Sequence, residues 1–187
     1  MPKLKVFNHI TLDGYFCDDK GDMSWAHARQ DAEWADFASN NARGTESVLV
    51  FGRVTYQMMA SYWPTQQAKA SMPVVAEGMN ARQKLVFSRT LDKAEWQNTE
   101  LIKRDPVAAM RKLKAGSGPD MLIMGSGTIV AQLAAAGLID EYQLVLNAVA
   151  LGSGRTLFAG VDKPLTLTLR KQRAFGNGNI VLWYDAS

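Results

Sequence analysis

The stretch MLIMGSGTIVAQL, at residues 121–133, limits the possible folds of this chain more than any other feature. Four apolar residues run into Gly125-Ser126-Gly127-Thr128, and a segment with helical spacing follows. A strand that turns into a helix through glycine leaves backbone N–H groups unpaired at the positive end of the helix dipole, which suits phosphate. Val130 stands where the full dinucleotide fingerprint has its third glycine. The stretch alone therefore indicates either a tight turn or a phosphate-binding site.

A second junction of the same design occurs earlier in the chain. The apolar run at residues 47–51 predicts a strand buried on both faces, and Gly52 then opens a short helix. Arg53 adds a planar cation suited to phosphate oxygens, and Thr55 adds a hydroxyl. An exposed arginine on a helix explains Arg53 as well, so the phosphate interpretation depends on the two junctions lying together.

A third strand end carries polar and basic residues. The predicted strand at residues 84–87 runs into Ser88-Arg89-Thr90, a set that suits a phosphomonoester, the group that distinguishes NADP from NAD. A solvated loop is the alternative. Ligands of open α/β sheets bind at the carboxyl ends of the strands. Three such ends therefore predict one crevice for a ligand that carries a pyrophosphate and a further phosphate.

The remaining pattern predicts an α/β fold. Strands are expected at residues 4–12, 47–51, 84–87, 120–124, 141–149, 165–173 and 179–185, and helices at residues 31–42, 53–60, 106–115 and 128–136. Residues 17–29 and 61–81 are expected to be loops, and Gly44 is expected to end the first helix. Strands and helices alternate until the last third, which holds strands alone. This order predicts one domain over residues 1–187, a mostly parallel, mixed sheet with helices on both faces and antiparallel C-terminal strands.

Composition and charge exclude several classes of protein. The net charge is +3 and the basic residues are scattered, so no nucleic-acid surface is predicted. Cys17 is the only cysteine, which excludes a disulfide framework and a cysteine-based zinc site. No apolar run approaches the roughly 20 residues of a membrane span. A cytoplasmic protein without a membrane segment or a metal is therefore expected.

Four stretches together resemble a known family. They are ITLDG at residues 10–14, VFGRVTYQ at 50–57, LVFSRTL at 85–91, and the succession from MLIMGSGT to LGSGRTLF at 121–158. The set is similar to the C-terminal reductase domain of the riboflavin-biosynthesis deaminase-reductases, which has the dihydrofolate reductase-like fold. The resemblance spans nearly the whole chain. The deaminase half of those enzymes has no counterpart in these 187 residues.

The resemblance implies an NADPH-dependent reductase of a small heterocycle, either a pterin or a ribosylaminopyrimidine such as 5-amino-6-(5-phosphoribosylamino)uracil. It also implies a homodimer. The residues that it places around NADPH are Gly52, Arg53, Thr55, Ser88, Arg89, Thr90, Gly125, Ser126, Gly127 and Thr128. The 2′-phosphate would lie near Arg89 or Arg53. A nucleotide-binding module of the same fold, without turnover, remains the alternative, since a fold does not fix a function.

Two aspartates are candidates for the catalytic acid. Reduction of a C=N bond in a pterin-like ring requires a carboxylate that binds the ring nitrogens and helps to protonate them. Dihydrofolate reductases place this acid at the start of a helix, three residues before an aromatic, and Asp31 with Trp34 matches that spacing. The resemblance to the reductase domain implies Asp13 instead. A charge at a helix N-terminus and a turn residue are the respective structural alternatives.

Overall fold

The computed structural model describes residues 1–42 and 46–187, and most of its strands form one eight-stranded sheet. The spatial order is β5-β4-β3-β6-β1-β7-β10-β9. Its strands are β1 (Leu4–Thr11), β3 (Val48–Gly52), β4 (Lys84–Phe87), β5 (Thr99–Ile102), β6 (Met121–Met124), β7 (Glu141–Asn147), β9 (Leu167–Ala174) and β10 (Ile180–Ala186). Two short strands, β2 (Tyr15–Cys17) and β8 (Arg155–Thr156), pair separately.

The strand directions confirm the predicted sheet. From β5 through β7, each strand is parallel to its neighbours. β10 is antiparallel to both β7 and β9. The predicted turn between the last two strands is present, because the Gly178 N–H donates to the Phe175 carbonyl at 3.0 Å. The sheet is therefore mostly parallel, with the antiparallel strand near its C-terminal edge.

Helices cover both faces of the sheet, as the alternation of strands and helices predicted. The helices are α1 (Ala32–Ala42), α2 (Arg53–Tyr62), α3 (Gln66–Ser71), α4 (Pro73–Ala81), α5 (Pro106–Lys114) and α6 (Gly127–Ala135), with a 3-10 turn at Ser24–His27. Successive strand residues point to opposite faces. Leu49 belongs to the apolar cluster under α2 and α4, whereas Val50 belongs to the cluster under α5 and α6. α1 packs its Trp34 and Phe37 against β7 and β10.

Two parts of the prediction were wrong. Residues 61–81 are not a loop, since they form α3 and α4. Pro73 begins α4 at a first-turn position, where its missing N–H has no helical partner to lose, and the Thr65 hydroxyl caps α3. The pattern also failed to predict β5. Gly44, the expected end of α1, lies outside the described residues.

The register places the ends of four parallel strands side by side. Phe87 pairs with Gly52 on one side of β4 and with Ile102 on the other. On the far side of β3, β6 connects it to β1, where Met124 lies opposite Phe7. The three predicted junctions therefore share one edge of the sheet. Among the described residues, none of the helices combines the length and the apolar character needed to cross a membrane.

Candidate active site

Hydrogen bonds tie two of the predicted junctions together. The Gly52 N–H donates to Ser126 Oγ at 2.8 Å, and the Ser126 N–H donates to Thr55 Oγ1 at 3.1 Å. The Gly125 N–H donates to the Phe7 carbonyl of β1 at 3.2 Å. The start of α2 and the start of α6 are thus held against each other and against β1.

The reversal before α6 uses two left-handed residues. Gly125 has φ 63°, and Ser126 has φ 60° and ψ 50°. The left-handed region costs a non-glycine residue roughly 1–2 kcal/mol, and the two hydrogen bonds of Ser126 help to offset this cost. At Gly125, a Cβ would stand 3.1 Å from Thr55 Cγ2, so both conformation and space favour glycine. The tight turn predicted as one alternative is present.

The same turn leaves donors for an anion at the start of α6. The N–H groups of Ile129 and Val130 both donate to the Ser126 carbonyl, at 2.8 and 3.1 Å. Those of Gly127 and Thr128 have no acceptor within residues 1–42 and 46–187. Free N–H groups at the positive end of a helix bind phosphate and carboxylate groups. The stretch therefore has the features of a phosphate-binding site as well as those of a tight turn.

Gly127 has a second role that the sequence did not reveal. A Cβ on this residue would stand 2.2 Å from two ring carbons of Phe16 in β2. The absence of a side chain at Gly127 thus allows the Phe16 ring to pack over the first residue of α6. Phe16 forms an apolar wall beside the two unpaired N–H groups.

A buried acceptor without a donor lies beside the same turn. Asn8, in β1, is 2% exposed, and its Oδ1 has no hydrogen-bond partner within the described part of the chain. This oxygen is 4.0 Å from the position that a Cβ would take on Gly125. Buried polar atoms are normally paired, because an unpaired one costs about 1–3 kcal/mol. The asparagine within an apolar strand was the signal in the sequence, and it was missed.

Exposed cations follow the neighbouring strand ends. Arg53, at the start of α2, and Arg89, just after β4, are both exposed, and Arg53 Nη1 donates to Gln57 Oε1 at 3.1 Å. Thr90 is exposed, and the Ser88 hydroxyl accepts its N–H at 3.2 Å. Lys103 follows β5 and thus lies beside the end of β4, a cation missed because β5 was missed.

The two candidate acids differ in how fully their carboxylates are used. Asp13 accepts the Thr11 hydroxyl at 2.5 Å and the N–H groups of Leu151 and Gly152 at 2.9 and 2.7 Å. The Thr11 hydroxyl, followed by the Gly152 N–H, holds the pKa of Asp13 below its usual range. Asp31 Oδ1 accepts only the Trp34 N–H, at 2.8 Å, and its Oδ2 has no partner among the described residues.

An aromatic cluster lies next to Asp31. Trp34, one turn further along α1, contacts the ring of His9 edge-on at 5.8 Å between centroids. The rings of Phe7 and His27 lie 5.8 and 6.2 Å from that of His9. Burial, opposed in part by a hydrogen bond with Asn147, lowers the pKa of His9 to about 4, so the imidazole is neutral at pH 7. Trp34 is 4% exposed, so the partly exposed His9 and the exposed His27 are the members of this cluster that a flat ring could contact.

The sheet order and the strand-end crevice define a dihydrofolate reductase-like fold of the reductase type. The chain belongs to the RibD C-terminal domain family, which it matches over residues 2–181. The family resemblance and the fold predicted from the sequence are thereby confirmed.

Individual proteins show the same likeness. The uncharacterized protein YyaP of Bacillus subtilis (strain 168) is 25% identical over 175 residues, which are 94% of this chain and 90% of that protein. A putative riboflavin biosynthesis protein from Shewanella sp. PV-4 shares 22% identity with a TM-score of 0.77, covering 99% of each chain. A dihydrofolate reductase from Enterococcus faecalis, complexed with NADP(H) and RAB-propyl, has 14% identity and a TM-score of 0.63, covering 99% of this chain and 96% of that one.

The contact between Gly127 and Phe16 can be tested by overpacking. We expect Gly127→Ala to lower the free energy of unfolding by about 1–3 kcal/mol, because the Phe16 ring or the start of α6 must move. Urea denaturation measures this change. Gly118→Ala is the matched control, since no atom lies within 4 Å of its added Cβ. In a Phe16→Ala background the effect of Gly127→Ala should largely disappear. An unchanged effect in that background would contradict the contact.

Proposed function

We propose that this protein is an NADPH-dependent reductase of a small heterocycle of the pterin or ribosylaminopyrimidine type. One observation carries the proposal. The N–H groups at the start of α6 and Oδ1 of Asn8 lie in the same crevice, and neither has a hydrogen-bond partner in the described part of the chain. The family and fold described above support a reductase. Substrate and cofactor are inferences from the residues present.

The polar groups of the crevice match the parts of NADPH. The free N–H groups of Gly127 and Thr128 would bind the pyrophosphate, as helix N-termini do in dinucleotide sites. Asn8 Oδ1 would accept a hydrogen bond from the carboxamide amino group of the nicotinamide. The 2′-phosphate would lie among Arg53, Arg89 and Lys103, because these cations can form charge-assisted hydrogen bonds, which are stronger than neutral ones. Ser88 and Thr90 would then border the same phosphate, and Thr55 would hold the turn in place.

The remaining residues have roles on the substrate side. When bound, NADPH supplies a hydride from C4 of its nicotinamide. Asp31 would hold the ring nitrogens of the substrate through its free Oδ2 and retain a proton near the reduced bond. Trp34, which is 4% exposed, would support His9 beside the flat ring. Phe16, on β2, would exclude water from the start of α6. Asp13 would instead fix the loop at residues 151–152, since both of its oxygens are engaged.

A nucleotide-binding module without turnover would share the cofactor crevice but would not need Asp31. Thermal stabilisation by NADPH together with oxidation of NADPH by dihydrofolate or 5-amino-6-(5-phosphoribosylamino)uracil supports the reductase. Stabilisation without oxidation across a wide panel of pterins and aminopyrimidines would favour the module. If neither NADPH nor NADH stabilised the protein, both functions would be contradicted.

The proposed position of the 2′-phosphate predicts a selective loss of affinity for NADPH. We expect Arg89→Ala to weaken NADPH binding by about 1.5–3 kcal/mol, roughly tenfold or more in Kd, because a charge-assisted hydrogen bond is lost. NADH binding should change little, since NADH lacks this phosphate. Isothermal titration calorimetry measures both values. Arg111→Ala removes an exposed arginine in the last turn of α5, outside the proposed site, and should leave both values unchanged. Equal weakening of NADPH and NADH by Arg89→Ala would refute the role.

The assignment of the acid predicts a loss of turnover. We expect Asp31→Asn to reduce kcat by about 10²–10⁴-fold, the usual contribution of general acid–base catalysis, with NADPH binding intact. Steady-state oxidation of NADPH with whichever substrate of the panel is turned over measures kcat. An Asp31→Asn variant with the kcat of the wild type would show that this carboxylate is not the acid.

Asp13→Asn is the matched comparison, and its effect should fall on stability. The pKa of Asp13 is lowered in the folded state, so its stabilising effect is present above the unfolded value of 3.8 and is lost as the pH falls through the folded value. The variant should therefore have a lower Tm than the wild type at pH 7, and the difference should shrink below pH 3.8. A large loss of kcat in Asp13→Asn, with an unchanged Tm, would transfer the acid role to Asp13.

A further inference from the structure

The side-chain amide of Asn147 is fixed in one orientation by the backbone. One end of this buried amide lies 3.1 Å from the carbonyl of Ile10 and 2.9 Å from that of Val145. Both partners are acceptors only, so the end that faces them must be the NH2 group. Its two hydrogens are then committed to the two carbonyls. The amide oxygen is left for another partner.

That partner is Nδ1 of His9. Both ends of the Asn147 amide lie close to it, Nδ2 at 3.2 Å and Oδ1 at 3.4 Å. The shorter distance belongs to Nδ2, but the hydrogens of Nδ2 already have two carbonyl partners. The amide oxygen is therefore the group that pairs with Nδ1, and Nδ1 must carry the hydrogen. Since a neutral imidazole has one N–H, its Nε2 has a free lone pair.

The free nitrogen is not fully enclosed by the protein, since it is not among the buried side-chain atoms without a partner. His9 is partly exposed, and its Nε2 has no hydrogen-bond partner in the described part of the chain. The ring is bordered by Phe7, Trp34 and His27, of which only His27 can carry a charge. Asp31 is exposed and stands one turn before Trp34, so Asp31 and His9 Nε2 are two hydrogen-bond acceptors beside one aromatic cluster.

We propose that His9 is a specificity-determining residue of the candidate site, whose Nε2 accepts a hydrogen bond from an N–H or amino group of the ring substrate. Asn147 is the positioning residue that holds His9 in the required tautomer. The assignment rests on the proposed function in one respect, namely that the ring substrate binds beside His9. A ring that presents only acceptors to Nε2 would be disfavoured, because lone pairs would face each other.

The tautomer can be measured without any ligand. Long-range ¹H–¹⁵N correlations of the imidazole rings distinguish protonated from unprotonated nitrogens, and the chain has two histidines. A His27→Gln variant assigns the signals. We expect His9 at pH 7 to have a protonated Nδ1 and an unprotonated Nε2. A protonated Nε2, in either the other tautomer or the imidazolium, would overturn the proposal.

Two probes of similar shape test the recognition itself. 2,4-Diaminopyrimidine offers amino hydrogens, whereas 2,4-dimethoxypyrimidine offers none. We expect the wild type to bind the diamino probe more tightly, and His9→Phe to weaken that probe roughly two- to tenfold, the effect of one hydrogen bond. The dimethoxy probe should be unaffected. His9→Gln, whose amide oxygen can accept a hydrogen bond, should retain most of the preference. Ligand-observed NMR titrations measure the Kd values.

The outcomes separate this proposal from the reductase proposal. Equal weakening of both probes by His9→Phe, or a wild type without preference for the diamino probe, would overturn the role of His9. Neither result depends on NADPH or on turnover. If the preference depends on His9 while NADPH neither stabilises the protein nor is oxidised by it, the role of His9 stands and the proposed reductase fails.

Discussion

The pair of hydrogen bonds that joins Ser126 to Gly52 and Thr55 is the interaction on which the candidate site depends. Two strands 74 residues apart in the chain end at the same edge of the sheet, and these bonds fix the starts of their helices against each other. The left-handed turn at Ser126 leads directly into the first two N–H groups of α6, which have no acceptor in the described part of the chain. Without this connection, the free N–H groups of α6 would not share one crevice with the Phe16 ring and the unpaired oxygen of Asn8.

Much of the fold could be predicted from the sequence, because the local sequence signals agree with the tertiary structure. Glycine at strand ends, the Asp105 cap of α5 and the final hairpin turn each have a local physical cause, and each is present. The errors also have local causes. Pro73 is typical of a loop but equally suits the first turn of a helix. β5 is short and only partly buried, so its apolar pattern is weak.

The candidate site was predictable in its outline but not in its details. The residues predicted to bind phosphate lie at one sheet edge, because parallel strands end together. The contact of Phe16 with Gly127 and the bond between His9 and Asn147 join segments that are distant in sequence, the latter by 138 positions. No local pattern encodes such a pairing. For the same reason, the sequence did not reveal that the Asp13 carboxylate is engaged by residues 151–152 whereas Asp31 Oδ2 has no partner among the described residues.

The central claim is that the crevice at the starts of α2 and α6 binds NADPH. A ¹⁵N NMR titration with NADPH tests it most directly, because it reports on every backbone amide and on the side-chain amide of Asn8. We predict that the largest shifts fall on Gly127, Thr128 and the Asn8 side chain. A groove of about 1200 Å³ between α2, α4 and the loop at residues 90–97 is the competing location. Shifts confined to that groove, or no saturable shifts at all, would contradict the claim.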